Sequence, residues 1–290
     1  MVDMLAGTIL TLSGSGEVTR IATGSRIAAF VRPRERGGYV AGLERGIGLA
    51  DAPFAPPTPL REMWSDPNVR MNECGLDPWG RLYAGSMPYD RTLGAGRLYR
   101  IEADGRYSTA LYHVTVSNGL DFAPDGQRAY YNDTSTGCTD VFDVVGGDLV
   151  GRRPFHDGDG GRPDGLAVDS EGNVWCAMNR VGKVRLYSPE AEILGEWELP
   201  VHGVTAVTLG GPDLRDVFIT TSRETLPDDV EPASGRAARR RRLPHAHGRA
   251  GPADAHLRRL RRTAARARRR RALPRDPTVR WVFSTHGGRW

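Results

Sequence analysis

The chain has 290 residues, 39% of them hydrophobic and 8% aromatic, so it is long enough to bury a sizeable core. No stretch approaches the roughly 18 apolar residues of a membrane-spanning helix, and the first residues lack the basic and apolar regions of a signal peptide. The three cysteines have no metal-ligand spacing and fit a reducing compartment better than a disulfide framework. We therefore expect a soluble, cytoplasmic protein that does not bind membranes.

The net charge of +5 is divided unevenly along the chain. Residues 236–275 contain 16 arginines and one acid, Asp254, for a net charge of +15, whereas the rest has 24 basic and 34 acidic residues, for a net charge of −10. A basic segment of this kind can attract nucleic acid. No aromatic residue within it could stack on bases, so we do not expect nucleic acid as a partner.

Up to about residue 222, short runs of β-forming residues alternate with turn signals. The runs cover residues 7–12, 81–84, 97–101, 129–132, 174–177, 184–187 and 217–221. Gly-rich, Asp-Gly and Glu-Gly turns separate them, and no helical period is present. The pattern predicts an all-β fold.

One phrase occurs three times at a fixed interval. It begins with a polar residue at Asn72, Asn118 and Asp164 and ends with glycine at Gly80, Gly126 and Gly172, so both steps are 46 residues. A period of this length is typical of β-propeller blades, each made of four strands around a central channel. A looser fourth copy begins at residue 204. The spacing also makes the three lead residues equivalent positions that could form one site.

The repeat text ends near Gly235, which divides the chain into a propeller, residues 1–235, and an arginine-rich tail, residues 236–290. The tail has too few apolar residues to fold on its own, so we expect it to be disordered. A reading-frame error after about codon 235 is a further hypothesis for its composition.

Several motifs resemble the senescence marker protein/gluconolactonase/regucalcin family of six-bladed propeller lactonases. They include Arg70-Met-Asn72, Ser117-Asn118-Gly-Leu, Arg153-Pro-Phe and Pro163-Asp164-Gly-Leu, in the family's order. The resemblance extends from about residue 2 to residue 235. It implies metal-dependent hydrolysis of a sugar lactone, with one divalent ion (Ca²⁺, Zn²⁺, Mn²⁺ or Mg²⁺) as cofactor.

The resemblance also implies roles for individual residues. Asn118 and Asp164 match metal ligands of the family, and Asp164 would in addition take a proton from the attacking water. Arg70 and Asn72 match its substrate-contacting Arg-x-Asn, and Asp90 lies where the family often places an acid. For each residue a plainer reading stays open: a turn for Asp164, Asn118 and Asn72, a surface ion pair for Arg70 and a solvated loop for Asp90.

Three departures from the family pattern lower the activity that we expect. The family's N-terminal glutamate ligand has no counterpart in the chain, Glu73-Cys74 replaces the usual Asp-Gly after Asn72, and arginine-rich text stands where the last blade would be. We expect a propeller without its first strand and last blade. The alternative functions are a non-catalytic propeller that binds calcium or a protein partner, and a nucleic-acid binder that uses the basic tail.

Overall fold

The computed structural model describes residues 1–13, 16–222, 241–242 and 278–283. Within them the chain forms β-strands and one 3-10 helix, Thr134–Thr136, which confirms the all-β prediction. The chain divides into two compact units. Unit 1 comprises Met1–Gly75 and Leu82–Asn118, and unit 2 comprises Leu76–Arg81 and the described residues from Gly119 onward.

Unit 1 contains three antiparallel sheets, each with its strands in chain order. The first has three strands, β1 (Val2–Asp3), β2 (Thr8–Leu12) and β3 (Val18–Ala22). The second has four, β4 (Val31–Pro33), β5 (Tyr39–Leu43), β6 (Gly46–Ala50) and β7 (Thr58–Pro59). The third has β8 (Val69–Leu76), β9 (Leu82–Pro88), β10 (Gly96–Ile101) and β11 (Tyr107–Val114), so that β8 lies at one edge.

Two sheets of unit 2 repeat this up-and-down order. One consists of β12 (Ser117–Phe122), β13 (Arg128–Asp133), β14 (Cys138–Val145) and β15 (Asp148–Asp157). The next consists of β16 (Arg162–Val168), β17 (Val174–Asn179), β18 (Lys183–Tyr187) and β19 (Ile193–Glu198). The predicted lead residues lie near the start of their edge strands, Asn118 as the second residue of β12 and Asp164 as the third residue of β16. The four strands expected for each copy are therefore present.

The last sheet of unit 2 departs from this pattern. Its first two strands, β20 (Val204–Gly210) and β21 (Asp216–Thr221), form the antiparallel pair expected for the fourth copy. The tail adds β22 (Arg241–Arg242) and β23 (Thr278–Phe283), and β23 pairs with β21 in parallel. The other residues of segment 236–290 lie outside the described part of the chain, and the prediction of a disordered or frameshifted tail stays a prediction there.

The glycine that ends each copy of the phrase closes a tight turn. The amide of Gly80 donates to Asp77 O, that of Gly126 to Ala123 O and that of Gly172 to Asp169 O, at 2.8 to 3.1 Å. The φ angles of these glycines are 88°, 72° and 88°, in the left-handed region that a side chain disfavours. The closing residue of the repeat is thus glycine because the turn requires a positive φ.

A second glycine of the phrase has a packing reason. A Cβ atom on Gly119 would lie 2.4 Å from Leu166 N and 2.6 Å from Asp164 O, and one on Gly165 would lie 2.7 Å from the Cβ of Ala206. The edge strands β12, β16 and β20 of unit 2 therefore approach more closely than any side chain would allow. The close contact between these strands leaves Asp164, on β16, largely buried.

Each unit has its own apolar core. In unit 1, Ile9, Ile21, Tyr39 and Leu43 are buried between the first two sheets. In unit 2, the fully buried ring of Trp175 stacks on Trp197 at 5.2 Å and packs against strands β18, β20 and β21. In the described part of the chain, no helix has both the length and the apolar character that crossing a membrane requires.

Candidate active site

Arg70 and Asn72 lie on the edge strand β8 of unit 1. They are two residues apart, so their side chains leave the same face of the strand, and both are about nine-tenths buried. Arg70 Nη1 donates to Asn72 Oδ1 at 2.7 Å and to the backbone oxygen of Met71 at 3.1 Å. Arg70 therefore orients Asn72, which adds a role to the predicted contact with substrate.

Asn72 in turn orients the side chain of Asn118. Its Nδ2 donates to Asn118 Oδ1 at 2.8 Å and to the backbone oxygen of Ser117 at 2.7 Å. Two lead residues of the 46-residue repeat are thus in direct contact. A carbonyl oxygen has two lone pairs, so an amide oxygen of this kind can accept a hydrogen bond and bind a cation at the same time. Asn118 is 8% exposed.

Tyr89, Glu44 and Arg26 extend this cluster in unit 1. Tyr89 donates its hydroxyl to Glu44 Oε1 at 2.6 Å. The guanidinium carbons of Arg26 and Arg70 lie 5.5 and 5.7 Å from the centroid of the Tyr89 ring. Burial and the bond to Glu44 raise the pKa of Tyr89 to about 12, so its hydroxyl stays protonated at neutral pH and can donate.

Asp90 follows Tyr89 in an exposed turn. Its Oδ1 accepts bonds from the backbone nitrogen and the hydroxyl of Thr92, at 2.9 and 2.7 Å. These bonds lower the pKa of Asp90, because they favour the charged carboxylate. The carboxylate therefore stabilises its own turn, as the plainer reading holds, and its contact with substrate stays a prediction.

Glu73 and Cys74, which depart from the family pattern, continue strand β8 without interruption. Glu73 pairs with Arg32, whose Nη2 lies 3.3 Å from Glu73 Oε1 and also donates to the backbone oxygen of Cys74 at 2.9 Å. Burial raises the pKa of the Cys74 thiol to about 12. These two residues thus stabilise the strand that carries Arg70 and Asn72.

Asp164 lies in unit 2, on the edge strand β16, and is 8% exposed. Asn179, the last residue of β17, donates its Nδ2 to Asp164 Oδ2 at 2.7 Å. The backbone oxygen of Asp164 accepts a bond of 2.6 Å from Asn132 Nδ2, and Asn132 is in turn held by the hydroxyl of Thr139 at 2.7 Å. Both the backbone and the carboxylate of Asp164 are thereby fixed.

The amide oxygen of Asn179 is an exception among the buried polar atoms. No donor reaches Asn179 Oδ1 from any residue that the structure describes, although the side chain is buried beside a carboxylate. Buried acceptors in folded proteins are nearly always bonded to protein, water or an ion. Amide and carboxylate oxygens are also the ligands that hard divalent cations prefer. The donors around Asp164 therefore fit such an ion.

Over the described ranges, no three side chains of His, Cys, Asp or Glu are grouped so that they could hold a metal ion. A divalent ion at Asp164 would therefore be held by one carboxylate together with amide oxygens, which suit a hard cation. An open pocket of about 420 Å³ in unit 2 is lined by residues 134–137 and 157–162, but neither Asp164 nor Asn179 lines it.

Four residues of these clusters were not predicted from the sequence: Arg26, Glu44, Tyr89 and Asn179. Glu44 and Asn179 stand outside the repeated phrase, and Tyr89 precedes the predicted Asp90. One signal could have identified Asn179, since it lies 15 residues after Asp164, at the end of the next predicted strand, where antiparallel pairing returns it to the start of β16.

The sequence profile of the SMP-30/Gluconolactonase/LRE-like region matches residues 1–223. The 6-deoxy-6-sulfogluconolactonase of Pseudomonas putida is 37% identical over 77% of this chain and 78% of its own length. The pentonolactonase of Haloferax volcanii is 37% identical over 54% of this chain and 55% of its own.

Among solved structures, the chain is similar to regucalcin of Agrobacterium tumefaciens, described as a calcium-binding protein. The TM-score is 0.72 and the identity 27%, over 78% of each chain. Together with the sheets described above, this similarity shows that the fold is an all-β propeller.

Proposed function

Because this chain belongs to the SMP-30/gluconolactonase/LRE-like family, we propose that it is a lactone hydrolase that opens the ring ester of a sugar lactone. The names of two relatives, a sulfogluconolactonase and a pentonolactonase, support this substrate class. The observation that carries the proposal is the buried Asp164 carboxylate, which is held in one orientation beside an amide oxygen that has no donor within the described residues. The six-bladed form of the fold, implied by the family resemblance, is part of the same proposal.

Asp164 acts as the general base. Lactone hydrolysis adds water to the ester carbonyl and then expels the ring oxygen, so the attacking water must lose a proton. A carboxylate has two oxygens with about four lone-pair sites, so the bond that Asp164 Oδ2 accepts from Asn179 is compatible with a bond from water. Asp164 can therefore accept the proton of the water and return it to the ring oxygen as the ester C–O bond breaks, and Asn179 keeps its carboxylate in place.

A divalent metal ion belongs to this proposal, with Asn118 and Asp164 among its ligands. The assignment is supported by the 46-residue register and by the family resemblance. It is also supported by the oxygen donors present around Asp164. Such an ion, when bound, polarises the ester carbonyl towards attack. Calcium is the first ion to test, since the similar regucalcin is described as a calcium-binding protein.

The unit 1 cluster binds the sugar. Arg70 brings a guanidinium group with five N–H donors, one of which is bonded to Asn72 Oδ1. The N–H groups of Asn72 and the hydroxyl hydrogen of Tyr89 are already donated within the chain, so these two side chains would contact the sugar through their oxygens, which can accept a bond from a substrate hydroxyl. Groups held in place before binding lose little freedom when a polyhydroxy substrate arrives. Asp90 is proposed as a further contact with substrate hydroxyl groups, at the edge of this cluster.

The test is hydrolysis of D-glucono-δ-lactone by the full chain after chelation and after addition of Ca²⁺, Zn²⁺, Mn²⁺ or Mg²⁺. We expect activity only with metal, and a loss of about 10²- to 10⁴-fold in kcat for Asp164→Asn, because general-base catalysis contributes about that much. Asp143→Asn is the matched control, since Asp143 is exposed and pairs with Arg153 on β15. Equal rates for Asp164→Asn and the unmutated chain would contradict the proposal.

The alternative of a non-catalytic calcium-binding propeller is favoured by the description of the similar regucalcin. Calcium binding without turnover of any aldonolactone would support it. The reduced activity expected from the departures from the family pattern stays a prediction, and the same assay beside the P. putida relative measures it.

A further inference from the structure

The side-chain amide of Asn179 is buried, but only one of its two polar atoms is hydrogen-bonded to a described residue. Its Nδ2 donates to Asp164, yet its Oδ1 is buried and receives no bond from the described residues. An acceptor that is removed from water and left unbonded destabilises the fold, so such atoms are rare and commonly mark the place of a bound ion or water.

A second buried Asn–Asp pair in the same unit shows the contrast. Asn173 Nδ2 donates to Asp169 Oδ2 at 3.1 Å, and the carboxylate of Asp169 also accepts the backbone N–H groups of Glu171 and Asn173. These bonds close the turn that ends at Gly172, so the pair has a structural role. The oxygen of Asn173 is not among the buried unbonded atoms of the described chain.

The distances allow one cation to touch both Asn179 and Asp164. The oxygen and nitrogen of an amide are about 2.2 Å apart. Since Asn179 Nδ2 lies 2.7 Å from Asp164 Oδ2, the amide oxygen is no more than about 5 Å from that carboxylate oxygen. Calcium binds oxygens at about 2.3–2.6 Å, so two of its ligands can be separated by up to about 5 Å.

We propose that Asn179 is a metal ligand, with its Oδ1 bound to the same divalent cation as Asp164. This inference rests on the metal ion of the proposed function and adds a ligand to it. A cation is favoured over a hydroxyl donor because the neighbouring carboxylate is negative, and both the amide oxygen and the carboxylate are ligands that hard cations prefer. Asn179 then has two roles, since its N–H orients Asp164 and its oxygen binds the ion.

The experiment measures metal binding directly, without lactone. The full chain, freed of metal by chelation, is titrated with Ca²⁺ by calorimetry and with Mn²⁺ by electron paramagnetic resonance. We expect Asn179→Leu to weaken both affinities by about tenfold to a hundredfold, as loss of a group that supports a metal typically does. Asn179→Asp restores an oxygen ligand and should keep the affinity or increase it. Asn173→Ala is the matched control, with an expected change of less than about twofold.

The outcomes separate this inference from the proposed function. An unmutated chain that binds metal through Asn179 but hydrolyses no lactone supports the ligand and contradicts the hydrolase. A chain that hydrolyses lactone but binds no metal overturns the assignment of Asn179 as a metal ligand. An unchanged metal affinity in Asn179→Leu also overturns the proposal. If Asn179→Leu keeps its metal affinity but binds D-gluconate more weakly than the unmutated chain, Asn179 Oδ1 contacts a sugar hydroxyl instead. If Asn179→Leu does not fold, as judged by circular dichroism, Asn179→Asp decides: an affinity weaker than that of the unmutated chain overturns the proposal.

Discussion

Replacement of Asn72 by alanine tests whether the unit 1 cluster is held together by hydrogen bonds. The substitution removes the bonds from Asn72 Nδ2 to Ser117 O and Asn118 Oδ1, and the bond that Asn72 Oδ1 receives from Arg70. A neutral bond contributes about 1 kcal/mol net and a bond to a charged group about 1.5–3 kcal/mol. Because all partners are buried, we expect the free energy of unfolding to fall by about 3–5 kcal/mol.

Urea denaturation at neutral pH measures this loss from the midpoint and slope of the transition. The exposed Gln127→Ala is the control, with an expected change within about 0.5 kcal/mol. A double-mutant cycle with Asn118→Ala isolates the contact between the two asparagines, for which we expect a coupling of about 1 kcal/mol. A loss below about 1 kcal/mol for Asn72→Ala would refute the reasoning, since three buried bonds cannot vanish at so small a cost.

Three further predictions concern the backbone, a tyrosine and the thiols. Gly119→Ala should destabilise the chain by about 1–3 kcal/mol in urea, because the new Cβ meets backbone atoms of β16 at 2.4–2.6 Å; an unchanged midpoint would contradict that close approach. Tyr89 has a folded pKa of about 12, above its ordinary value of 10, so its share of stability is complete below pH 10 and is lost between pH 10 and about 12. Between pH 10 and about 12, the free energy of unfolding of Tyr89→Phe should therefore fall less steeply than that of the unmutated chain. Identical pH profiles of the two proteins would show that ionisation of Tyr89 does not affect stability. Burial raises the pKa of Cys74 and Cys176 to about 12, so a thiol reagent at pH 8 should label Cys138 first and the other two only in denaturant; three fast thiols in the folded chain would be inconsistent with the buried positions.

Local features of the fold were predictable because their causes are local. The run 174–177 became β17 (Val174–Asn179), and the run 217–221 became β21 (Asp216–Thr221). Alternation of apolar residues and turn glycines depends only on neighbours in the chain. The same reasoning missed strands β4 to β7, whose small residues, such as Gly42 and Gly48, make the apolar pattern weak.

The candidate site was predictable only in part. The 46-residue register identified Asn72 and Asn118 as equivalent positions, and the structure places them 2.8 Å apart through their amides. It did not indicate Glu44 or Tyr89, because their bond joins residues 45 positions apart that share no motif. The parallel strand Thr278–Phe283 beside β21 was not predicted either, since the arginine-rich text around it has no strand pattern.

The sequence by itself determined the repeat, the all-β fold and the identity of the lead residues, because spacing, turn chemistry and strand patterns are properties of the chain alone. Only the tertiary structure decided which partner each polar group has. Asn72 is bonded to Arg70 and Asn118, Asp164 is bonded to Asn179, and Asn179 is left with an unbonded oxygen within the described residues. Hydrogen bonds between distant segments depend on how the strands pack, so the bond between Asn179 and Asp164 follows only from the pairing of β17 with β16.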